Sequence, residues 1–340
     1  MSGAVIAQTG AGRAAIEREM DRQSDDAIAS FEGAGAEATS AAQAIRSTGR
    51  LLMLGMGASH ATARIVEPLY RALGIDAVAL PLSEQLAAPL ALANKTVILT
   101  SQSGESAEIG RWLETEAQRR NVFGMTLDGA SLLARTVPSL VAAGGVETAF
   151  AATRSLTVTL ALHLAVLSRL DVDPDPALEM LRTPPAPDVS PAVEAFAKVS
   201  AVVCSGRLMQ GVAEALALGL TELSRSPAFA LEGGQFRHGP LEMLGPGIGV
   251  ALVRSSEAGA ELIAGAARSA VGASSPVVLF DSSGAAPVAG AISLCLPKAS
   301  GLAAAFAILP TMQRFMLGFA GQRVADVGVP QRSSKITRTE

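Results

Sequence analysis

Short apolar runs rich in β-branched residues recur along the chain, and apolar positions return at helical spacing behind them. LLMLG at 51–55, DAVAL at 76–80, VILT at 97–100, VFGMT at 122–126 and SLVAA at 139–143 read as strands, with a helix over 60–73. Strands alternating with helices predict a parallel sheet covered by helices on both faces. Residues 13–46 carry Ile16, Met20, Ala27 and Phe31 at helical spacing among Ala, Glu, Asp and Arg, which predicts one or two surface helices before the first strand. The apolar stretch 152–170 closes this unit as a helix.

The stretch DVDPDPALEMLRTPPAPDVSP, dense in proline and aspartate, reads as a linker with at most one or two helical turns. A second copy of the pattern follows. SAVVCSG at 200–206 answers LLMLGMG, AFALE at 228–232 answers DAVAL, and GIGVALVRSSEAGAELI answers TVILTSQSGESAEIG. PVVLFD at 276–281 answers VFGMTLD, and the apolar helix 301–320 answers 152–170. The chain reads as a duplication whose period is far longer than a solenoid repeat.

Composition narrows the picture. Of 340 residues 49% are apolar but only 4% aromatic, so the interior must be mostly Ala, Val, Leu and Ile. Net charge is −4 with no long basic run, so no nucleic-acid partner is expected. Cys204 and Cys295 lie in apolar runs without CxxC spacing, which predicts buried free thiols of a reducing cytoplasm. The greasiest stretch, Gly301 to Ala320, carries Pro310, Gln313 and Arg314 and reads as a core helix, not a membrane span. The start lacks the basic and apolar regions of a secretion signal. His60, His163 and His238 are the only histidines and none is spaced with a second ligand, so neither a catalytic metal nor another cofactor is expected.

The stretch TVILTSQSGESAEIGRWL at 96–113 carries the first chemistry. A buried strand ends in a turn holding Ser101, Gln102, Ser103, Gly104 and Ser106, and Ile109, Trp112 and Leu113 recur at helical spacing behind it. Helix-opening N–H groups have no intrahelical partners and sit at the positive end of the macrodipole, so the turn favours an anion, best a phosphate ester. No Gly-Lys-Ser/Thr follows, which rules out the nucleotide P-loop. Ser103 as a plain helix cap is the alternative, and the same physics supports both. The second copy has RSSEAG, with Glu257 where an anion would sit, so one phosphate site per chain is expected. Gly57, Ala58 and Ser59, in the turn after the first strand, also fall at the carboxyl ends of the strands, where open α/β sheets bind ligands.

At these residues the chain resembles the double sugar-isomerase (SIS) domain family, closest to the isomerase half of glutamine:fructose-6-phosphate amidotransferase and to stand-alone glucosamine-6-phosphate deaminases/isomerases. TSQSGES is similar to the family's phosphate turn, GMGASHATA to its first glycine loop, and IEREMDRQ to the helix before the first domain. GRLMQGVAEALALGLTELS resembles the opening of the second domain, QFRHGPLEML its histidine turn, and DVGVPQRSSKITRTE its closing segment. The resemblance implies an α/β fold of two tandem flavodoxin-like, three-layer units with five-stranded parallel sheets. The boundaries expected are N-terminal helices over 1–46, domains at 47–171 and 193–327 with a linker at 172–192, and a tail at 328–340 closing the active site. About fifteen residues precede the first predicted helix and position 2 is Ser2, so no glutaminase domain is expected. What remains implied is chemistry on a hexose or hexosamine 6-phosphate that uses or releases free ammonia.

Three residues are candidates for that chemistry. Glu222 and Glu214 are the only charged side chains over 209–224, and Leu218 and Leu223 beside Glu222 suggest a partly desolvated carboxylate suited to a general base. A helix-end glutamate reaching solvent is the bland alternative; the resemblance implies proton shuttling between C1 and C2. His238 stands before Gly239-Pro240, which holds it on a turn, and an imidazole there can give or take the ring-oxygen proton in ring opening. The family's histidine turn often serves a neighbouring subunit, which implies a homodimer. Lys335 lies in a tail that composition alone calls frayed; the resemblance makes it the lysine that meets the substrate carbonyl, as a cation or an imine. Gly219 stands where the amidotransferases have a lysine, Gln235 where they have an acid, Ala58 where a hydroxyl is usual and Ala152 where a serine lies near the sugar. The reactions implied are glucosamine 6-phosphate deamination with isomerisation, or cleavage of a 6-phosphofructosyl-amino acid, with a non-catalytic sugar-phosphate sensor as a third class.

Overall fold

A computed structural model describes residues 2–116 and 120–337. Helices α1 (Ser2–Gly33) and α2 (Gly35–Thr48) lead into β1 (Arg50–Gly55), α3 (Ala58–Ala72), β2 (Asp76–Pro81), α4 (Leu82–Ala87), β3 (Thr96–Thr100) and α5 (Ala107–Glu116). Then come β4 (Val122–Thr126), α6 (Leu132–Thr136), β5 (Ser139–Val141), α7 (Arg154–Ser168), α8 (Asp175–Arg182) and α9 (Ser190–Ala195). The second series is β6 (Ala201–Ser205), α10 (Gln210–Ser224), β7 (Ala228–Ala230), α11 (Gly233–Arg237), β8 (Ile248–Ser255), α12 (Ala260–Gly272), β9 (Val277–Ser282), β10 (Ile292–Cys295) and α13 (Gly301–Gly321). The first helix starts at Ser2, well before the apolar spacing at Ile16 announces it, and the Pro/Asp-rich stretch contains the two-turn helix α8.

The sheets run β2-β1-β3-β4-β5 and β10-β9-β8-β6-β7, all parallel. Counted within each half, both have the flavodoxin-type order 2-1-3-4-5, so the duplication seen in the apolar pattern is a duplication of topology. The predicted α/β class with two five-stranded parallel sheets holds. By contact density the chain forms two compact units, one of Arg18–Leu181 with Gln331–Glu340, the other of Met1–Glu17 with Arg182–Pro330; they are called the first-sheet and second-sheet units below. Residues 338–340 of the tail lie outside the described residues.

Every residue of β3 and β4 is buried, as a strand covered on both faces requires. In the first-sheet unit Leu52, Leu54, Val97, Leu99, Trp112 and Leu133 form one core cluster; in the second, Val203, Phe236, Val250, Leu252, Ile263 and Leu279 form the counterpart. Helix α13 is long and apolar enough to cross a membrane by length and composition, yet 89% of its most apolar window is buried inside the structure, the pattern of a core helix. Cys204, in the central strand β6, is buried, and burial pushes its thiol up. Cys295 corrects the expectation of two buried thiols. It is exposed because β10 is an edge strand, whose apolar sequence resembles that of its covered neighbours.

Buried charge networks hold each unit together internally. Arg154 is fully buried at the start of α7 and donates to Glu19 at 2.5 Å, to Asp26 at 3.3 Å and to the Gly145 carbonyl at 2.8 Å. Burial alone would raise the Glu19 carboxyl, but the Arg154 hydrogen bond, the Thr148 N–H and the charges of Arg154 and Arg22 outweigh it and hold Glu19 below the usual carboxylate range. In the second-sheet unit Arg254 on β8 and Asp281 on β9 occupy paired register positions and form a bidentate pair.

His163 on α7 is wholly buried, 3.1 Å from the Tyr70 hydroxyl, and burial pushes it down to about 3. It stays uncharged in the fold but takes a proton in the unfolded chain below about pH 6.5. The stability this supplies is complete above pH 6.5 and is lost as the pH falls toward 3, at about 1.4 kcal/mol per unit. Urea unfolding at pH 7.5 and 5.5 should show that loss in the wild type, and His163→Gln should flatten it. An equal slope in both proteins would remove His163 as the cause.

Candidate active site

The turn at 101–106 is built as a cradle. Strand β3 ends at Thr100, Gly104 takes φ +63°, and α5 opens at Ala107. The Ser101 hydroxyl accepts the Gly104 N–H at 3.1 Å, and the Ser103 hydroxyl accepts the Glu105 N–H at 3.2 Å. Ser103 therefore organises the turn just ahead of the helix rather than capping the helix itself. The opposite side is spent on the β4–α6 connection: Leu127 N–H donates to the Gln102 carbonyl at 3.0 Å and Leu133 N–H to the Gly104 carbonyl at 3.2 Å. The Glu105 carboxylate accepts the Leu132 N–H at 2.7 Å, so its charge is spent at the start of α6. Among the described residues nothing accepts from the Ser103 or Ser106 N–H, and Thr100 Oγ1 and Gln102 Nε2 are buried without a partner. The turn's Gln102 and Gly104 carbonyls and the Glu105 carboxylate are spent while two of its N–H groups are not, as an anion site needs; Glu108, in the first turn of α5, keeps one buried carboxylate oxygen, Oε2, without a partner among the described residues.

The glycine loop lies next to it. Gly55 at the end of β1 is the register partner of Thr100, so the two turns leave adjacent strands side by side. Gly57 precedes α3 with φ +51°, and Ala58 and Ser59 form the first turn, Ser59 being buried. This is the switch point of the sheet, where β1 and β3 send their helices in different directions.

The tail joins this group. Thr337 places its carbonyl 3.1 Å from the Ala107 N–H, at the opening of α5. Lys335 Nζ donates to Glu147 Oε2 at 2.7 Å and to the Phe150 carbonyl at 3.4 Å, which ties down a segment that composition describes as frayed. Ala152 lies between Phe150 and α7, half-buried. Glu147 was missed by sequence reasoning. It is 1% exposed and accepts from Thr153 N at 3.0 Å, Thr153 Oγ1 at 3.2 Å, Ser155 N at 3.2 Å and the Ser155 hydroxyl. The available signal was that it is the only acid between Asp128 and Asp171.

The structure thus gathers Gly57, Ala58, Ser59, Ser101, Gln102, Ser103, Gly104, Ser106, Ala152 and Lys335 in the first-sheet unit. Glu222 and His238 belong to the second-sheet unit. Glu222 is half-buried in the last turn of α10, which ends at Arg225 with φ +56°, and Arg225 is anchored to Asp326 at 2.7 Å. His238 is exposed just beyond α11; Gly239 takes φ +112° and Pro240 opens a 3-10 turn, so Gly-Pro ends the helix as the sequence predicts. Glu232 caps α11 through the Gly234 N–H at 2.7 Å and pairs with Arg207 at 3.0 Å. Gly219 faces α13, and a Cβ there would come 2.1 Å from the Met316 methyl. In the turn answering the cradle, the Glu257 carboxylate accepts the Gly301 N–H at 2.7 Å and the Ser255 hydroxyl at 2.5 Å, so that turn carries its own negative charge.

No family model and no curated protein matches the sequence. Solved structures do match in fold. The C-terminal domain of glucosamine-fructose-6-phosphate aminotransferase from Francisella tularensis superposes with a TM-score of 0.79 at 18% identity, over 93% of this chain and 98% of that one. Tagatose-6-phosphate ketose/aldose isomerase from Escherichia coli gives 0.76 at 20% identity over 92% and 95%. Glucosamine-6-phosphate deaminase from Thermotoga maritima gives 0.68 at 18% identity over 92% and 99%. The chain therefore has the tandem α/β fold of the sugar-isomerase (SIS) domain phosphosugar isomerases.

Proposed function

We propose that the chain is an aldose–ketose isomerase of phosphorylated sugars that also deaminates, converting glucosamine 6-phosphate and water to fructose 6-phosphate and ammonia. The cradle carries this reading: the turn leading into α5 presents the unspent N–H groups of Ser103 and Ser106 beside a glycine loop. The 6-phosphate anchors there. Ring opening, with His238 handling the ring-oxygen proton, frees C1; Glu222 takes the proton from C2 and returns it to C1, and water then displaces ammonia from the C2 imine. Lys335 meets the substrate carbonyl. Neighbours of the same fold named as an aminotransferase domain and a deaminase support an amino-sugar substrate. The exposed His238 turn supports a homodimer in which it serves the second copy, and light scattering should give the mass of two chains.

A coupled assay of ammonia release from glucosamine 6-phosphate tests the reading; release no faster than from a Glu222→Gln control would reject it. One observation favours a second reading. Residue 219 is a glycine with the Met316 methyl beside it, so that helix position carries no amine, and cleavage of 6-phosphofructosyl-amino acids needs none there. Turnover of fructose-asparagine or fructose-lysine phosphate in place of glucosamine 6-phosphate would select it.

A further inference from the structure

Glu147 spends its two oxygens differently. Oε1 accepts the Thr153 N–H, the Thr153 hydroxyl and the Ser155 N–H, all at the opening of α7. Oε2 accepts the Ser155 hydroxyl and Lys335 Nζ. One oxygen is thus committed to a helix whose residues are buried from Arg154 to Leu167, and the carboxylate cannot turn away from the lysine. Both partners of Nζ, the Glu147 carboxylate and the Phe150 carbonyl, are pure acceptors, so the nitrogen points hydrogens, not a lone pair, at each of them. An amine that attacks a carbonyl must present a lone pair and would leave the Glu147 charge buried without its cation.

We infer that Glu147 is a positioning residue that fixes Lys335 as a hydrogen-donating cation, so that the chain works on its sugar without an imine to this lysine. This rests on the reading of the cradle as a sugar-phosphate site. When the catalytic base takes up the carbon-bound proton, that electron pair forms the C1–C2 double bond and the carbonyl π pair moves onto oxygen. The developing alkoxide takes a hydrogen bond from Lys335. No bond forms between Nζ and the sugar, and no water is lost.

The chain has four lysines, Lys95, Lys198, Lys298 and Lys335, so peptide mass after reductive methylation reads each one. Methylating the full chain with formaldehyde and cyanoborohydride should modify Lys335 at least about tenfold more slowly than the exposed Lys198 and Lys298. Glu147→Gln should bring Lys335 to within about twofold of them, and Ser155→Ala, which removes one anchor of Oε2, should give an intermediate rate. Wild-type Lys335 reacting as fast as the others, or equally slowly in Glu147→Gln, overturns the clamp; the wild-type comparison holds even if a variant does not fold. Fructose 6-phosphate with borohydride should leave the Lys335 peptide without a sugar adduct, and an adduct there overturns the inference. A chain that methylates as expected yet neither binds nor converts fructose 6-phosphate keeps the clamp and defeats the sugar reading instead.

Discussion

Glu222→Gln should lower turnover of the phosphosugar by about 10² to 10⁴-fold while leaving its binding within about twofold, the range that a positioned acid–base group contributes. Glutamine has the same shape as glutamate, and α10 is held by its other face, where Leu216, Leu220 and Leu223 are buried. The helix and its C-terminal anchor from Arg225 to Asp326 therefore persist, and the ability to carry a proton is removed. Steady-state kinetics should show kcat falling with KM little changed, the signature of an interaction used in the transition state alone, at an unaltered melting temperature. A variant that turns over like the wild type would take Glu222 out of the chemistry. A variant that loses binding as well would make it a structural residue.

The strands β1, β3, β4, β6, β8 and β9 were legible because a parallel strand buried on both faces is a continuous apolar run, and the repeat of those runs gave the duplication. The same logic misread Cys295, since an edge strand carries the same residues as a central one. The cradle was legible because strand end, glycine, hydroxyls and helix start are contiguous. Glu147 was not: its partner Lys335 lies 188 residues away, and being the only acid between Asp128 and Asp171 does not say what it meets. Arg154 lies near the start of the apolar stretch 152–170, and only the fold shows that Glu19, 135 positions earlier, meets it in the interior. Gly219 could be noted as a departure from a family pattern, but that Met316 fills the space beside it is a fact of helix packing.

Gly104→Ala should weaken sugar-phosphate binding at least about 100-fold, equivalent to about 2.7 kcal/mol, and lower the melting temperature. Two effects add. At φ +63° an alanine pays about 1–2 kcal/mol that glycine does not. Its Cβ would also lie 2.2 Å from Ser131 Oγ and 2.5 Å from Ser131 Cβ, closer than atoms can approach. Ser131 cannot swing aside: its hydroxyl donates to the Asp128 carbonyl at 2.7 Å and accepts the Ala134 N–H at 3.3 Å as the cap of α6, and the residue is 1% exposed. The turn must therefore move instead, and with it the Ser103 and Ser106 N–H groups that define the cradle. Adding Ser131→Gly in the same chain removes the collision but not the dihedral cost, so calorimetry with fructose 6-phosphate should show part of the affinity restored in the double variant. If Gly104→Ala binds the sugar phosphate as tightly as the wild type, the anion does not sit in this turn.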